Sequence, residues 1–152
     1  MEIERKFLVE RLPGGLAHYP AHRIEQGYLA LDESSGAEVR VRRHGEDLVL
    51  TVKGAGDLSR IEVELLLSRE QFDSLWPLGE GRRVEKTRHE LPGGIDLDVY
   101  GGSLDGLMVA EIEFPSEADS EAFEPPSWLG REVTEDRRYK NRALAVDGRP
   151  QD

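Results

Sequence analysis

The stretch EIERKFLV (residues 2–9) alternates charged and apolar side chains almost from the first residue of the chain. Successive side chains of a β-strand point to opposite faces, so a strand here would place Glu2, Glu4 and Lys6 together on one face. Phe7 would lie on the other face. The stretch therefore predicts a strand with one charged and one apolar face, a pattern that a sheet with one solvated face also produces.

The composition limits the class of protein. A chain of 152 residues is about one domain long, and we expect a single domain over residues 1–152. With 20 Lys and Arg against 31 Asp and Glu, the net charge of −11 disfavours binding to nucleic acid or to an anionic membrane. There is no cysteine, which excludes disulfides, thiolate nucleophiles and Cys-ligated metals. No apolar run approaches the roughly 20 residues that span a bilayer, so we expect a soluble, cytoplasmic protein.

Strand-like alternation recurs along the chain, and turn residues separate many of the alternating stretches. The separators are rich in Gly, Pro and Asp, which suit hairpins. The predicted fold class is a strand-dominated, antiparallel α+β domain. The alternating stretches are residues 2–9, 22–31, 36–44, 47–54, 59–67, 82–91, 94–101 and 108–114.

Three short helices are also predicted. Ser68 and Gln71 have the spacing of a capping box, which predicts that a helix begins there. Ser116 predicts the start of a second helix by the same kind of capping. A third helix is expected over residues 139–148, with one side formed by Tyr139, Ala143 and Val146.

The charged pattern of the first strand is repeated in later strands, and the charges are segregated by sign. Pairs of like charges flank one residue in the following places, and Lys53 ends a further strand: Arg40 and Arg42, Glu62 and Glu64, Lys86 and Arg88, Asp96 and Asp98, Glu111 and Glu113. The intervening residues are mostly apolar. If such a sheet closes on itself with helices packed outside, its charged faces line a tunnel.

Such a lining needs a ligand, because a buried ion without a partner costs several kcal/mol. Cations would neutralise the carboxylates and a polyanion would neutralise the Arg and Lys side chains. A divalent metal that carboxylates hold and that bridges phosphate oxygens meets both needs. The alternative is a solvated sheet surface laced with cross-strand ion pairs.

The opening stretch resembles the ExExK signature of the CYTH superfamily, the triphosphate tunnel metalloenzymes. Later blocks resemble the rest of the family pattern in the expected order: QGYL, VRVRR, TVKG, RIEVE, EKTRHEL, IDLDVY, AEIEF and VTEDRRYKN. The resemblance covers nearly the whole chain. It implies an eight-stranded antiparallel β-barrel with helices packed outside. The tunnel of this barrel would bind a triphosphate with basic side chains and Mg²⁺ or Mn²⁺ with acidic ones.

The resemblance also implies roles for individual residues. The primary metal ligands would be Glu2, Glu4 and Glu113. Further metal ligands or water-positioning groups would be Glu111, Asp96, Asp98, Glu62 and Glu64. The phosphates would be held by Lys6, Arg40, Arg42, Lys53, Lys86 and Arg88, with Arg138 and Lys140 as weaker candidates. Tyr28 would either face the tunnel or belong to the core. His18 and His22, close to Pro20, are expected to be solvated.

The implied activity is metal-dependent hydrolysis of inorganic triphosphate to phosphate and diphosphate, with Glu62, Glu64, Lys6, Tyr28 and Lys86 as candidate catalytic residues. Two activities of the same family are alternatives, those of a class IV adenylate cyclase and a thiamine triphosphatase. A non-catalytic polyphosphate or nucleotide sensor and a structural interaction module are alternatives from other classes. The partner is inorganic triphosphate or a small molecule that contains a triphosphate, and the choice between monomer and homodimer stays open.

Overall fold

An antiparallel β-sheet forms the body of the protein. The computed structural model describes residues 3–56 and 61–151. The strands within these residues are β1 (Ile3–Leu8), β2 (Ala21–Leu31), β3 (Glu38–His44), β4 (Asp47–Lys53), β5 (Glu62–Leu66), β6 (Arg83–Leu91), β7 (Ile95–Tyr100) and β8 (Met108–Phe114). The helices are α1 (Arg69–Leu75), α2 (Glu117–Ala122) and α3 (Asn141–Asp147). The predicted antiparallel α+β class is confirmed.

The eight strands form one sheet in the order β1-β8-β7-β6-β2-β3-β4-β5. Neighbouring strands are antiparallel throughout. In the ranges that the structure describes, β1 and β5 lie at opposite edges of the sheet and do not pair with each other. The closed barrel that we expected is therefore not confirmed.

β1 pairs with β8 on one side, and a later part of the chain lies along its other side, where β5 would have to pair to close the sheet. The segment 130–133 runs antiparallel beside β1. The Leu8 amide donates a hydrogen bond to the Arg131 carbonyl at 2.8 Å, and the Val133 amide donates to the Lys6 carbonyl at 2.8 Å. These bonds use the backbone groups that β5 would need to close the sheet.

The opposite edge strand, β5, is solvated along its whole length. All five of its residues are exposed, and Leu66 is 84% exposed. It pairs with β4 on one side, with Glu62 opposite Lys53 and Glu64 opposite Thr51. The two carboxylates of this strand are therefore accessible to water.

One face of the sheet packs an apolar core under α2 and the segment that follows it. Alternate residues of β1, β7 and β8 form this core, among them Phe7, Leu97 and Ile112. Phe123 and Trp128 cover them from outside the sheet. The apolar positions of the first strand thus point into a core, as the alternation predicts.

A second core lies on the other face, at one end of the sheet, under α3. Tyr28 and Tyr100 meet Leu144 and Ala145 of the helix there. The predicted helix side of Tyr139, Ala143 and Val146 is wrong. The helix begins only at Asn141, after a 3-10 turn that contains Tyr139, so the period shifts and Val146 is 39% exposed.

The predicted capping of α1 is confirmed. The Ser68 hydroxyl accepts a hydrogen bond from the Gln71 amide, and the Gln71 side chain accepts one from the Ser68 amide. A capping box satisfies two amides that the first helical turn leaves open. Of the helices in the described ranges, none is long and apolar enough to cross a bilayer.

Candidate functional site

The face of the sheet that carries α3 at one end collects ionisable side chains from all eight strands, and we call it the polar face. Residues directly opposite each other in neighbouring strands point the same way, so the register places these side chains on one face. The predicted site residues on it are Glu4, Lys6, Tyr28, Arg40, Arg42, Lys53, Glu62, Glu64, Lys86, Arg88, Asp96, Asp98, Glu111 and Glu113. Glu2 lies outside the described residues.

Asp98 is the centre of the hydrogen-bonded ion pairs on this face. Lys86 Nζ donates to Asp98 Oδ2 at 2.8 Å, and Arg88 donates through Nε and Nη2 at 2.8 and 2.9 Å. Burial opposes ionisation of Asp98, but the two cations outweigh it and hold its pKa below the usual value. For Lys86 the balance differs, because burial lowers its pKa despite the carboxylate beside it.

The ion pairs extend from Asp98 towards β1. Arg88 Nη2 lies 3.6 Å from Glu111 Oε2, and Lys6 Nζ lies 3.5 Å from Glu111 Oε1. Asp96 is the more exposed partner of Arg88, and its Oδ2 atom lies 3.8 Å from Arg88 Nη1. Burial raises the pKa of Asp96. The neighbouring Asp98 and Glu111 carboxylates raise it further, while the charge of Arg88 lowers it. For Asp96, burial and the two carboxylates therefore outweigh the attraction of Arg88.

Carboxylates also face each other directly across neighbouring strands. Glu4 is opposite Glu113, and Asp96 is opposite Glu111. Like charges in such positions destabilise a sheet unless a cation lies between them. The donor set consists of carboxylate oxygens, which suits Mg²⁺ or Mn²⁺. Within residues 3–56 and 61–151, no three acidic or imidazole side chains already lie in a ligating arrangement.

Arg40 and Arg42 bring unsatisfied hydrogen-bond donors to the polar face. Their Nε atoms are buried and have no hydrogen-bond partner within the described part of the chain. Burial lowers the pKa of Arg42, and the charges of Arg40 and Arg88 lower it further. Buried donors of this kind are normally satisfied, so these two fit an anion with several oxygens.

Tyr28 lies at the boundary between the core and the polar face. Its ring packs in the core under α3, and the whole residue is 1% exposed. Its hydroxyl accepts a hydrogen bond from Gln26 Nε2 at 2.9 Å. Burial raises the pKa of Tyr28, while the charge of Arg40 opposes that effect. The expectation of a core tyrosine is thus confirmed, and its hydroxyl lies beside another residue of the polar face.

Arg138 and Lys140 are not brought onto the polar face by the strand register, because neither belongs to a strand. Arg138 lies in a 3-10 turn and pairs with Asp136 at 2.6 Å. This hydrogen-bonded pair lowers the pKa of Asp136 to about 2. Lys140 is exposed and precedes α3.

Asn141 is a polar-face residue that the sequence pattern did not single out. Its Oδ1 accepts a hydrogen bond from the Tyr100 hydroxyl at 2.8 Å and lies 3.5 Å from Lys86 Nζ. The residue begins α3, and nothing in its neighbourhood along the chain shows that it meets β6 and β7. The VTEDRRYKN block, which ends at this asparagine, was the one available signal.

Two histidines lie on the polar face that the sequence pattern did not assign to the site. His22 and His44 come from β2 and β3, and their rings meet edge to face with centroids 5.5 Å apart. The expectation that His22 is solvated is confirmed, since 42% of its side chain is exposed. Its Nε2 atom lies 3.5 Å from Glu90 Oε2.

The comparisons with known proteins agree with this geometry. The family model for the CYTH domain matches residues 1–143. An inorganic triphosphatase of Nitrosomonas europaea is 51% identical over 149 residues, which are 95% of this chain and 97% of the relative. An inorganic triphosphatase of Acetivibrio thermocellus is 37% identical over 153 residues, covering 94% of this chain and 92% of the relative.

A solved structure supports the same relationship. A crystal structure of an inorganic triphosphatase superposes with a TM-score of 0.81 at 46% identity. The match covers 97% of this chain and 95% of that one. The similarity therefore extends through the sheet, the polar face and the helices.

Proposed function

The chain belongs to the CYTH domain family, and on this premise we propose that it hydrolyses inorganic triphosphate with the help of a divalent metal. Water would add to a terminal phosphorus, the P–O–P bond would break, and phosphate, diphosphate and a proton would be released. The observation that carries the proposal is the division of the polar face. Carboxylates gather on β1, β7 and β8, while arginines with unsatisfied donors lie on β3.

The basic side chains would hold the substrate. Arg40 and Arg42 would donate hydrogen bonds to phosphate oxygens and so satisfy their buried Nε atoms. Lys6, Lys53, Lys86 and Arg88 would neutralise the remaining charge. Positioning and electrostatic stabilisation supply most of the rate acceleration in phosphoryl transfer, so no covalent nucleophile is needed.

The acidic side chains would hold the metal. Glu4 and Glu113 would be its primary ligands together with Glu2, and Glu111, Asp96 and Asp98 would support them. When bound, Mg²⁺ or Mn²⁺ lowers the pKa of a coordinated water and neutralises phosphate oxygens. The exposed strand β5 carries Glu62 and Glu64 on the polar face, and one of these carboxylates would accept the proton of the attacking water.

Closure of the polar face into a tunnel is a further part of the proposal. The side chains of β5 would approach the remaining strands once the carboxylates of the polar face are neutralised by a cation and its Arg and Lys side chains by triphosphate. A cytoplasmic location, expected from the composition, belongs to the proposal as well. The names of the two relatives support inorganic triphosphate over an organic triphosphate as the substrate.

The first test is phosphate release from triphosphate with Mg²⁺ or Mn²⁺ and with a chelator. Thiamine triphosphate and ATP, the latter checked for cyclic AMP, test the two alternative activities. Turnover of triphosphate that requires metal and exceeds that of both organic substrates is the expected result. No turnover with either metal, or turnover that a chelator leaves unchanged, would refute the proposal.

A matched pair of variants tests the use of the polar face. Lys6 and Arg5 are neighbours on β1 whose side chains point to opposite faces, and Arg5 pairs with Glu132 at 2.7 Å. Lys6→Met should lower kcat/KM by at least about a hundredfold, the effect of removing a preorganised electrostatic group. Arg5→Met should keep the activity. Equal losses in the two variants would contradict a site on the polar face.

A further inference from the structure

The pair formed by His22 and His44 lies at the end of the polar face away from α3. His44 is the last residue of β3, and His22 is the second residue of β2. His22 is directly opposite Arg88 on β6, and His44 is directly opposite Ile24 on β2. Both rings therefore lie on the face that carries the proposed phosphate-binding cations, and His22 is open to solvent.

His44 continues the row that Arg40 and Arg42 begin along β3. Arg40, Arg42 and His44 occupy alternate positions, so their Cα atoms follow one another at intervals of roughly 7 Å. A linear phosphate chain that contacts Arg40 and Arg42 and extends further in the same direction would approach His44. His22 closes the same end from the neighbouring strand, with its ring 5.5 Å from that of His44.

Both positive and negative side chains surround the two histidines. The positive ones lie on the side of the pair that faces the centre of the sheet. Arg42 and Arg88 face it from β3 and β6, while Asp47 and Glu90 face it from β4 and β6 at the outer ends of the strands. Burial lowers the pKa of His44, and the charges of Arg42, His22 and Arg88 add to this effect. An anion beside the two rings would remove that repulsion and favour their protonated, doubly donating forms.

We propose that His22 and His44 bind the terminal phosphoryl group of a linear inorganic phosphate chain longer than triphosphate, and that they thereby favour tetraphosphate. This inference rests on the proposed function, because it assumes that the cations of the polar face hold phosphates. Triphosphate would fill the sites at the arginines and lysines and leave the histidine pair free. The pair would therefore set chain-length preference and take no part in bond cleavage.

The experiment compares His22→Gln and His44→Gln with His89→Gln as a matched control. His89 lies on β6 next to Arg88, but its side chain points to the opposite face of the sheet. KM and kcat are measured for triphosphate, tetraphosphate and ATP, and thermal unfolding verifies that each variant is folded. Calorimetric titration with triphosphate and tetraphosphate in a chelator measures binding without turnover.

The two polar-face variants should raise the KM for tetraphosphate by about tenfold, the size of one charge-assisted hydrogen bond. Their kcat, and the KM for triphosphate, should stay within about twofold of the parent, as should all constants of the control. The preference of the parent for tetraphosphate should weaken as the pH rises through the pKa of His44. A structural role would instead change the constants for both chain lengths together.

Three outcomes would overturn the inference and leave the triphosphatase proposal intact. In the first, the KM for tetraphosphate is the same in the variants as in the control. In the second, the KM values for triphosphate and tetraphosphate rise equally. In the third, only the KM for ATP rises, which would indicate stacking of an organic base. If the parent cleaves neither phosphate, the proposed function fails and the titration decides this inference. Tighter binding of tetraphosphate that depends on the pair then supports it, and equal binding overturns it.

Discussion

Lys86 Nζ lies 2.8 Å from Asp98 Oδ2, and both side chains are at most 1% exposed. Arg88 binds the same carboxylate through two further hydrogen bonds. Breaking a buried ion pair costs several kcal/mol of stability, because removal of one charge leaves its partner buried without compensation. The stability of the sheet and the charge pattern of the polar face therefore depend on the same carboxylate.

Asp98→Asn should lower the free energy of unfolding by about 3 to 5 kcal/mol, since the buried Lys86 would then lose the carboxylate that it pairs with. Urea denaturation at neutral pH measures the effect. Glu113→Gln is the control, because Glu113 is an exposed carboxylate of the same face and should change stability by less than about 0.5 kcal/mol. Equal effects in the two variants would mean that Asp98 is not the centre of the buried ion pairs.

The pH dependence of activity should be limited at its alkaline end by Lys86. Burial lowers the pKa of this ammonium group, which must be protonated to hold a phosphate. As the pH rises through that pKa, kcat/KM for triphosphate should fall, and it should do so below the usual lysine value of about 10.4. Lys86→Arg should move the fall to higher pH. If the alkaline fall of kcat/KM stayed at the same pH in Lys86→Arg, a group other than Lys86 would be responsible for it.

Substitutions of acidic and of basic residues on the polar face should change different kinetic quantities. Arg42→Ala should raise the KM for triphosphate by roughly tenfold or more, because it removes a charge-assisted donor to phosphate. Glu113→Gln should instead raise the concentration of Mg²⁺ or Mn²⁺ that gives half-maximal activity. Steady-state kinetics at several metal concentrations separates the two effects.

Arg43→Ala is the control for Arg42. Arg43 is the next residue of β3, points to the opposite face and lies 4.8 Å from the centroid of the Phe72 ring. Its replacement should cost about 1 kcal/mol of stability at most and leave both kinetic constants unchanged. If Arg43→Ala raised KM as much as Arg42→Ala does, the assignment of faces would be wrong.

Gly130→Ala should destabilise the protein by about 1 to 3 kcal/mol, the usual cost of overpacking. A Cβ at Gly130 would lie 2.8 Å from the Leu8 carbonyl oxygen, which accepts the hydrogen bond of the Gly130 amide at 2.7 Å. Urea denaturation of Gly130→Ala and Gly14→Ala gives the comparison, since a Cβ at Gly14 meets nothing within 4 Å. A stable Gly130→Ala variant would show that this contact is loose.

The strand faces could be predicted from the sequence because alternation is a local property of the chain. Glu4, Lys6 and Phe7 take the faces that their spacing requires, and the same holds for the paired charges of β3 and β7. The capping of α1 was equally accessible, since Ser68 and Gln71 are only three residues apart. In each case the interaction that decides the structure lies within one element.

The features that the sequence did not reveal depend on contacts between distant residues. The edge of β1 is occupied by a segment more than 120 residues later, so the sheet does not close as the strand count suggested. Asn141 and the pair of His22 and His44 acquire their surroundings only when β2, β3, β6 and α3 come together. The side of α3 was wrong because a turn before Asn141 shifted the helical period.

The pairing of β1 with β8 and with the segment 130–133 has a consequence for synthesis on the ribosome. β1 is synthesised long before β8 and the segment 130–133, with which it pairs. At bacterial and eukaryotic elongation rates of 5–20 residues per second, β1 waits on the order of ten seconds with both edges open. Nascent β1 therefore presents unpaired backbone groups to other chains until β8 and the segment 130–133 have left the ribosome.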